Sequence, residues 1–359
     1  MTIPIANPTI SEKAKARVEA VLDSGMIADG PEVRKFEDEF ADYCEVEYGV
    51  ATANGTAALH AALEALGIGE GDTVLTTPLS FVATANAIRF TGAKPVFADI
   101  NPETYNLDPD AATTVARKHD VDAIMPVHLY GLPVAMNPIQ DLASDLDIPI
   151  VEDAAQAHGA TYGGDPVGSL GDVACFSFYP TKNMTTGEGG MIVTNRDDIF
   201  EAASQFVNHG RTESYEHAML GHNFRMTSMA AAIGRVQLDR LPEFIETRRE
   251  NAAKLTEGLT ETSVATPTEP DGLKHVYHQY TIRTDSRDEL QDHLDDHGVG
   301  NNVYYPKCIH EQPAYDGIKV TAPKGEAAAM EVLSLPVHPS VSADDRNWII
   351  ESIQDYDTE

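Results

Sequence analysis

The sequence predicts an α/β fold: a large domain with a mostly parallel mixed sheet flanked by helices, followed by a smaller α+β domain. Between residues 48 and 151, short apolar segments of strand character alternate with helical segments, as in sheets connected by right-handed crossovers. The chain has 359 residues, which is enough for one large and one smaller domain. Hydrophobic residues make up 42% and aromatic residues 7%, a composition typical of an α/β globule.

The elements of the first half are predicted from these alternating signals. Residues 11–24 form an amphipathic helix with Ser11 as its N-cap, and residues 32–44 form a second helix. Strands are then predicted at 48–53, 72–76, 95–98, 123–127 and 149–151. The helices predicted between them cover 56–66, 83–90, 109–118 and 137–146. In such a sheet, ligands bind at the carboxyl ends of the strands.

The second half begins with two apolar segments, 173–178 and 191–194, that are predicted as strands joined by a glycine-rich loop. A helix at 228–241 then ends at a break at Leu241-Pro242, and a long charged helix covers 243–259. The smaller α+β unit follows, with segments predicted at 276–283, 288–297, 304–306, 324–333 and 344–353. The predicted domains are residues 1–245 and residues 246–359.

The charge balance excludes several classes of partner. The chain has 57 acidic and 25 basic residues and a net charge of −32. Such a field repels phosphate backbones and anionic lipid, so we expect neither a nucleic-acid nor a membrane partner. Self-repulsion of this size is relieved by concentrated salt, which predicts a halophilic source.

The cysteines and the N-terminal sequence indicate where the protein works. Cys44, Cys175 and Cys308 are scattered, odd in number and without metal-ligand spacing, so we expect no disulfide framework and no metal site. The first ten residues, MTIPIANPTI, do not have the pattern of a signal peptide. No apolar run is long enough to span a bilayer. We therefore expect a cytoplasmic protein.

The loop between the strands at 173–178 and 191–194 is the first candidate site. It reads SFYPTKNMTTGEGG over residues 177–190 and contains a single lysine, Lys182. A lysine whose pKa is lowered by burial or by a neighbouring cation becomes a nucleophile that forms Schiff bases with carbonyl groups. The alternative for Lys182 alone is a solvated loop lysine.

A phosphate cradle is predicted from residues 53–57, ANGTA, which lie between a strand and a helix. Gly55 lets the backbone approach a ligand closely, the N–H groups of the helix start point at it, and Thr56 adds a hydroxyl. Ser177, five residues before Lys182, offers a second hydroxyl. The alternative is an ordinary helix capped by Thr56.

Two further strand ends complete the candidate site. Residues 150–158, IVEDAAQAH, end a buried strand in Glu152 and Asp153, and a buried carboxylate needs a cationic partner. A protonated pyridine nitrogen suits Asp153, and Gln156 could then hydrogen-bond a phenolic oxygen, while Glu152 could simply cap the next helix. Phe81 follows another strand and could stack on an aromatic ring, or belong to the core. Together these groups are the inventory of a pyridoxal phosphate (PLP) site.

Several strings in this order give the chain a strong family resemblance. It resembles the DegT/DnrJ/EryC1/StrS family of PLP-dependent sugar aminotransferases, within the aspartate aminotransferase fold type I, nearly from end to end. The strings that carry the resemblance are IADGPEVRKFE, NGTAALHAAL, PLSFVATANAI, VEDAAQAHGA, SFYPTKNMTTGEGGMI, GHNFRMTSMAAAIGRVQL, YHQY and LSLPVHP. The resemblance implies that the large domain, 1–245, is the PLP-binding domain.

The resemblance also implies roles for individual residues. Lys182 would form the Schiff base with the cofactor and then serve as the base that moves the proton. Asp153 would pair with the pyridinium, Gln156 with the phenolic oxygen, and Phe81 would stack on the ring. The phosphate would be held by Gly55, Thr56, Ala57 and Ser177. Asn223 would reach the phosphate of the neighbouring subunit, which implies a homodimer, and Arg225 would support it or form a surface ion pair.

On the substrate side, the resemblance implies a nucleotide-linked keto-sugar that is aminated at its keto carbon, with glutamate as the amino donor. It places Asp29, Tyr304, Tyr305 and His310 near the nucleotide-sugar. Without it, Tyr304 and Tyr305 would end a strand with one buried ring, and His310 would be a solvated loop residue. Positive charge for an anionic substrate is expected from Arg211, Arg225, Lys307 or the phosphate-site N–H groups.

Three other functions were weighed against this one. Some relatives of the family are dehydratases with histidine at the lysine position, and Lys182 argues against that reaction. A PLP-dependent elimination or desulfurase enzyme would need a reactive cysteine, and only Cys308 lies in a suitable loop. A non-catalytic regulator on the same fold is the third, and the net charge of −32 opposes DNA binding. A role in making precursors of surface glycans is preferred.

Overall fold

A computed structural model describes residues 2–212 and 215–358 of the chain. The helices are α1 (Glu12–Ser24), α2 (Pro31–Tyr43), α3 (Gly55–Ala65), α4 (Ala83–Phe90), α5 (Pro109–Ala116), α6 (Met136–Leu146), α7 (Asp197–Phe206), α8 (Ser228–Gly258), α9 (Arg287–Asp296), α10 (Pro323–Glu331) and α11 (Ala343–Tyr356). The strands are β1 (Tyr48–Thr52), β2 (Thr73–Thr76), β3 (Lys94–Phe97), β4 (Ala123–Met125), β5 (Val151–Asp153), β6 (Thr161–Tyr162), β7 (Asp165–Pro166), β8 (Val173–Ser177), β9 (Gly190–Thr194), β10 (Leu273–Lys274), β11 (Tyr280–Arg283) and β12 (Val332–Leu335).

The central sheet has the strand order β1-β9-β8-β5-β4-β2-β3. Its two parts, β1-β9-β8-β5 and β3-β2-β4, are joined by parallel bridges from Ile124 to Ile150 and from Val127 to Asp153. Neighbouring strands are parallel from β8 to β3, while β9 runs antiparallel to β1 and β8. The predicted mostly parallel mixed sheet is confirmed.

Both faces of this sheet are buried, which explains why most side chains of its strands are apolar. Because side chains alternate along a strand, Ala174 and Phe176 of β8 join the core beneath α2, α5, α6 and α8. Val173 and Cys175 point the other way, into the core beneath α3, α4 and α7. Helices thus flank the sheet on both sides, as predicted.

A separate core lies in the C-terminal part. It is formed by β11 and β12, which pair antiparallel, and by α9, α11 and the end of α8. Ile3 from the start of the chain joins it and forms a parallel bridge to Val299. The α+β character predicted for this part is observed.

Helix α8 corrects the predicted break at Leu241-Pro242. It continues without interruption from Ser228 to Gly258 with Pro242 inside it. A proline costs the helix one N–H bond, but Leu241, Phe244 and Ile245 around it are buried, and this packing holds both halves in one helix. The proposed domain boundary near residue 245 falls within α8 and stays a prediction.

Other differences are local. The strand predicted at 149–151 is found at Val151–Asp153, the strand at 276–283 is confined to Tyr280–Arg283, and 304–306 is not a strand. Helix α7 was not predicted. Within the described residues, no helix is both long and apolar enough to cross a membrane.

Candidate active site

Five strands of the central sheet end at one cavity of about 820 Å³. It lies at the carboxyl ends of β1, β2, β4, β5 and β8, the position at which α/β sheets bind ligands. Ten of the predicted site residues line it: Gly55, Thr56, Ala57, Phe81, Asp153, Gln156, Ser177, Lys182, Tyr304 and Tyr305. The sheet therefore brings together groups that lie up to 250 positions apart (305 − 55) in the chain.

Lys182 lies in the β8–β9 loop, which is anchored on several sides. Its own N–H donates to the carbonyl of Tyr179 (2.9 Å), and the N–H of Thr186 donates to that of Phe178 (3.0 Å). The side-chain amide of Asn183 donates to the carbonyl of Val276 (3.0 Å). Burial lowers the pKa of Lys182 to about 8, against the opposing effect of the nearby Asp153 carboxylate. The loop thus holds an amine that is much readier to react than a solvated lysine.

Asp153 ends β5 and faces the same cavity. Its Oδ2 accepts a hydrogen bond from the hydroxyl of Thr84 (2.7 Å), which is 2.8 Å from the hydroxyl of Ser80. Burial raises the pKa of Asp153, while the hydrogen bonds from Thr84 and the Ala155 N–H and the charge of Lys182 act in the opposite direction. A cation in this cavity would therefore find a buried, oriented carboxylate.

Glu152 has a different role from the one considered above, since it does not cap a helix. Its carboxylate is fully buried and accepts from the N–H groups of Gly168 (3.1 Å), Leu170 (2.9 Å) and Gly171 (2.8 Å). His128 Nε2 is 3.0 Å from it, while His128 Nδ1 accepts from the N–H of Val134. Glu152 thus anchors the turn before β8 and does not line the cavity.

The start of α3 lies against the end of β8. A Cβ on Gly55 would be 2.7 Å from the Cβ of Ser177, so only glycine fits at this close approach. Asn54 is the N-cap and accepts from the N–H of Ala57 (2.9 Å). This corrects two readings: Thr56 is not the cap, and the Ala57 N–H is already bonded. The N–H groups of Gly55 and Thr56 precede it in the first turn, where no intrahelical acceptor exists.

Aromatic and amide groups form the wall opposite this cradle. Phe81 is 54% exposed, so it is not a core residue, and its ring centroid is 6.0 Å from that of Tyr305 at an interplanar angle of 36°. Gln156 accepts from the N–H of Tyr130 (2.7 Å) and donates to the Tyr305 hydroxyl (3.2 Å). The orientation of the Gln156 amide is therefore fixed from both ends.

Four residues of the predicted site do not line the cavity, and neither do Arg211 and Lys307, from which positive charge was expected. Asp29 pairs with Arg34 (2.7 Å) and borders, with Arg225, a separate cleft of about 50 Å³. Arg225 donates to the side chain of Asn208, and exposed Asn223 forms a backbone bridge to the same residue. His310 is neither solvated nor in the cavity: its side chain is mostly buried, 3.2 Å from Glu326 and beside Phe97.

With this geometry established, comparison with known proteins decides the family. A model of the DegT/DnrJ/EryC1/StrS aminotransferase family matches residues 8–354. The chain belongs to this family. It is 42% identical over 356 residues to the pleiotropic regulatory protein of Geobacillus stearothermophilus, covering 96% of this chain and 95% of that protein.

Two further matches extend this result. The chain is 41% identical over 334 residues to UDP-2-acetamido-2-deoxy-3-oxo-D-glucuronate aminotransferase of Pseudomonas aeruginosa, with 92% of each covered. The structure of Streptomyces venezuelae DesV in complex with a ketimine intermediate has a TM-score of 0.94 at 36% identity, with 98% of this chain and 100% of that one covered. The predicted fold type and aminotransferase class are confirmed.

Enzymes of the DegT/DnrJ/EryC1/StrS family work with PLP, and the predicted cofactor is confirmed at that level. The residues of this chain fit it, because the absence of a side chain at Gly55 lets the start of α3 pack against Ser177, which brings N–H groups and hydroxyls to one end of the cavity. When bound, PLP supplies an aldehyde for a lysine amine and a ring that stores electrons. In this cavity, Lys182 is suited to the aldehyde of PLP, and Asp153 is suited to its ring.

Residues that were not singled out from the sequence also line the cavity. His278 and Gln279 belong to the quoted string YHQY, and Tyr179 and Glu188 to the β8–β9 loop. Burial, with the nearby charge of Lys182, lowers the pKa of His278 well below its usual range. Thr84, the partner of Asp153, lies in the string PLSFVATANAI. Thr84 could have been found as a hydroxyl at the start of a predicted helix, three residues after Phe81.

Proposed function

We propose that this enzyme transfers an amino group from glutamate to the keto carbon of a nucleotide-linked sugar, with PLP as the carrier. The observation that supports it best is that Lys182 and Asp153 share one cavity with the Gly55–Ser177 cradle. At about 820 Å³, this cavity is at the upper end of the range for small-molecule sites, which leaves room for a substrate beside a cofactor. The Pseudomonas relative named above acts on a nucleotide-linked keto-sugar.

The cavity residues named here would then have defined tasks. Lys182 would hold the cofactor through Nζ and would take and return a proton at that atom. Asp153 would keep the ring nitrogen protonated, and Gln156 would donate to the phenolic oxygen. The N–H groups of Gly55 and Thr56 and the hydroxyls of Thr56 and Ser177 bind the phosphate, as anion sites at helix starts do. Phe81 covers the ring.

The substrate side of the proposal is centred on Tyr305 and Tyr304, the predicted substrate residues that line the cavity. Tyr305 is placed by Gln156, so its hydroxyl is fixed relative to the cofactor position. Asp29 and His310 lie elsewhere in one protomer, and we no longer assign His310 a direct contact because Glu326 and Phe97 surround it.

We also propose a homodimer in which Asn223 and Arg225 serve the partner's cradle. Asn223 is exposed and lies outside its own cavity, beside the Asn208 bridge. The test is a mixed dimer of Lys182→Ala and Asn223→Ala chains, each of which is impaired alone. If Asn223 acts across the interface, each mixed dimer has one intact site and regains activity. If Asn223 acts within its own chain, no site is intact and mixing restores nothing.

The main experiment is an absorption spectrum of the PLP-loaded protein in high salt, before and after L-glutamate. Loss of the visible band with glutamate, and absence of that band in Lys182→Ala, supports the proposal. Nucleotide-linked 3-keto and 4-keto sugars, each offered to the aminated enzyme, then identify the substrate by return of the band. A lysine-bound cofactor that accepts no amino group from any donor would instead favour a regulator, as the name of the Geobacillus relative does.

Two broader proposals concern the setting of the enzyme. The net charge of −32 leads us to propose a halophilic source, and stability or activity that fails to rise with molar KCl contradicts it. Cys44, Cys175 and Cys308 are all unpaired and buried, which supports a reducing, cytoplasmic location. If burial protects these thiols, purification of the folded protein in air should leave them reduced.

A further inference from the structure

A second, smaller cavity lies next to Lys182 and is bordered by a buried arginine. Arg248 of α8 is 6% exposed, and its Nη1 donates to the backbone carbonyls of Tyr277 (3.1 Å) and His278 (3.4 Å). No carboxylate pairs with it anywhere in residues 2–212 or 215–358. Its neighbour Arg249 forms an ion pair with Glu269 at 2.7 Å. Two consecutive arginines thus differ in having a counter-charge.

The cavity has a volume of about 40 Å³ and an unusual lining for so acidic a chain. Lys182, Arg248 and His338 border it, together with Asn183, Gln237 and the segment at residues 6–9. Among the described residues that line it there is no aspartate or glutamate, although acidic residues outnumber basic ones 57 to 25 in the chain. Burial lowers the pKa of His338 below its usual range, and Lys182 also lines the cofactor cavity and is engaged there under the proposed function. The positive charge of this cavity therefore rests on Arg248.

The surroundings of Arg248 leave part of this charge unsatisfied. Arg248 Nε is a buried donor without a hydrogen-bond partner among the described residues, whereas His338 Nδ1 and Asn183 Oδ1 are buried acceptors without one. A buried cation without a counter-charge is costly, because it loses its hydration without gaining an ion pair. Water in the cavity would serve the acceptor atoms, but water carries no charge to balance the guanidinium.

We propose that this cavity binds a small monovalent anion of halide size, chloride in the cell, as the counter-ion of Arg248. The volume of about 40 Å³ holds a small ion or a few water molecules, which suits a halide better than a larger organic anion such as gluconate. The site is separate from the cofactor cradle, which lies at Gly55 and Ser177, and it does not depend on the proposed substrate.

The anion would also join parts of the chain that are distant in sequence. Gln237 Nε2 donates to the carbonyl of Thr9 (2.9 Å), and His338 Nε2 is 2.9 Å from the carbonyl of Pro4. Both side chains border the cavity, so an ion there would tie the N-terminal segment to α8 and to the loop after β12. Chloride should therefore stabilise the folded protein beyond general screening.

The test uses the PLP-loaded protein at a constant high potassium concentration, with chloride replaced step by step by gluconate. We expect the melting temperature to be about 2 °C or more higher in chloride, as for a ligand present well above its Kd. We also expect ³⁵Cl NMR lines to be broadened by wild type and narrowed by added bromide. Arg248→Met should lose both effects, whereas the matched control Arg249→Met should keep both.

Crystals of the wild-type protein soaked in bromide provide a readout that needs no variant. An anomalous peak within hydrogen-bond distance of the Arg248 guanidinium is expected, and it answers the question even if Arg248→Met fails to fold. Water alone in the cavity overturns the proposal. Chloride and gluconate with equal effects, or broadening that Arg248→Met retains, overturn it as well.

Discussion

The two sides of strand β5 treat neighbouring carboxylates in opposite ways. On the core side, Glu152 accepts three backbone N–H bonds and lies 3.0 Å from His128 Nε2. On the cavity side, Asp153 accepts from Thr84 and, more weakly, from the Ala155 N–H (3.3 Å). Both are buried, yet only Asp153 retains an open face toward a ligand.

This difference shows how a fold separates stability from chemistry within one dipeptide. A buried carboxylate whose acceptor sites are all filled is an anchor, and removing it leaves N–H groups unsatisfied. A buried carboxylate with an open face has a raised pKa and is stabilised in its charged form when a cation binds beside it. The core side and the cavity side of β5 should therefore respond differently to substitution: the first in the free energy of unfolding, the second in turnover.

The largest effect is expected on the cavity side, at Lys182. Lys182→Ala removes the amine that we propose to hold the cofactor and move the proton, and steady-state transamination should fall by about a thousand-fold or more. The free energy of unfolding should change little, because the Lys182 amine has no hydrogen-bond acceptor among the described residues. The control is Lys254→Ala, which removes an exposed lysine that is paired with Glu257. A Lys182→Ala enzyme with wild-type turnover would refute the assignment.

The next effect is on the core side. Glu152→Gln replaces one carboxylate oxygen by an NH₂ group, which then faces two of the four donors that Glu152 accepts from, and we expect about 3 kcal/mol of lost stability. Urea unfolding measures it, and turnover per bound PLP should stay near wild type. The same change at exposed Glu12 should leave the unfolding midpoint unchanged. Loss of turnover in folded Glu152→Gln without loss of stability would break the distinction between the two sides.

Asp153→Asn tests the cavity side at constant shape. It keeps the bond from Thr84 but removes the charge that we propose to hold the ring nitrogen protonated, so the rate of the glutamate half-reaction should fall by about a hundred-fold. Stopped-flow absorption follows it, alongside urea unfolding. Thr84→Val removes only the orienting hydroxyl and should cost about ten-fold. A larger loss in Thr84→Val than in Asp153→Asn would mean that orientation outweighs charge.

Much of this fold follows from local patterns, because alternation of short apolar strands with helices leaves few topologies. The mostly parallel mixed sheet and the ligand site at the carboxyl ends of its strands were predicted in this way, but the order of the strands was not. The break at Pro242 was predicted wrongly, because a local rule for proline cannot register that Leu241, Phe244 and Ile245 are buried around it. Tertiary packing decided the helix.

The same distinction applies to the site. Asp153 and Ser177 end strands, Gly55 follows β1 within three residues and Lys182 follows β8 within five, so the sheet itself brings them close together. His310 lies in a loop, and its place beside Glu326 depends on how distant segments pack. Glu152 and Asp153 are adjacent in sequence, and their different roles come from the turn at residues 168–171. No local sequence pattern indicates that this turn packs against Glu152.

A smaller effect is expected at the cradle. In Gly55→Ala the new Cβ would lie 2.7 Å from the Cβ of Ser177, which pushes β8 and α3 apart and weakens phosphate binding. We expect the Kd for PLP to rise by about ten-fold or more, measured by equilibrium absorption titration. Gly69→Ala is the matched control, since its nearest neighbour would be at 3.8 Å. Equal affinity in the two variants would remove Gly55 from the cradle.

The finest test of the cavity side is the acidity of Lys182 in the cofactor-free protein. Burial lowers the pKa of this amine to about 8, and Asp153 acts against that lowering. The neutral, reactive amine should therefore increase as the pH rises, and labelling of Lys182 by a small neutral reagent should be half-maximal near pH 8. Mass spectrometry reads the label, with exposed Lys35 as the internal reference for the reagent.

In Asp153→Asn the midpoint should move to lower pH, because the carboxylate that favours the protonated amine is gone. Glu152→Gln should leave it in place, since its carboxylate faces the core. If both substitutions moved the midpoint equally, the two sides of β5 would share one electrostatic environment, and the division between anchor and ligand would not hold.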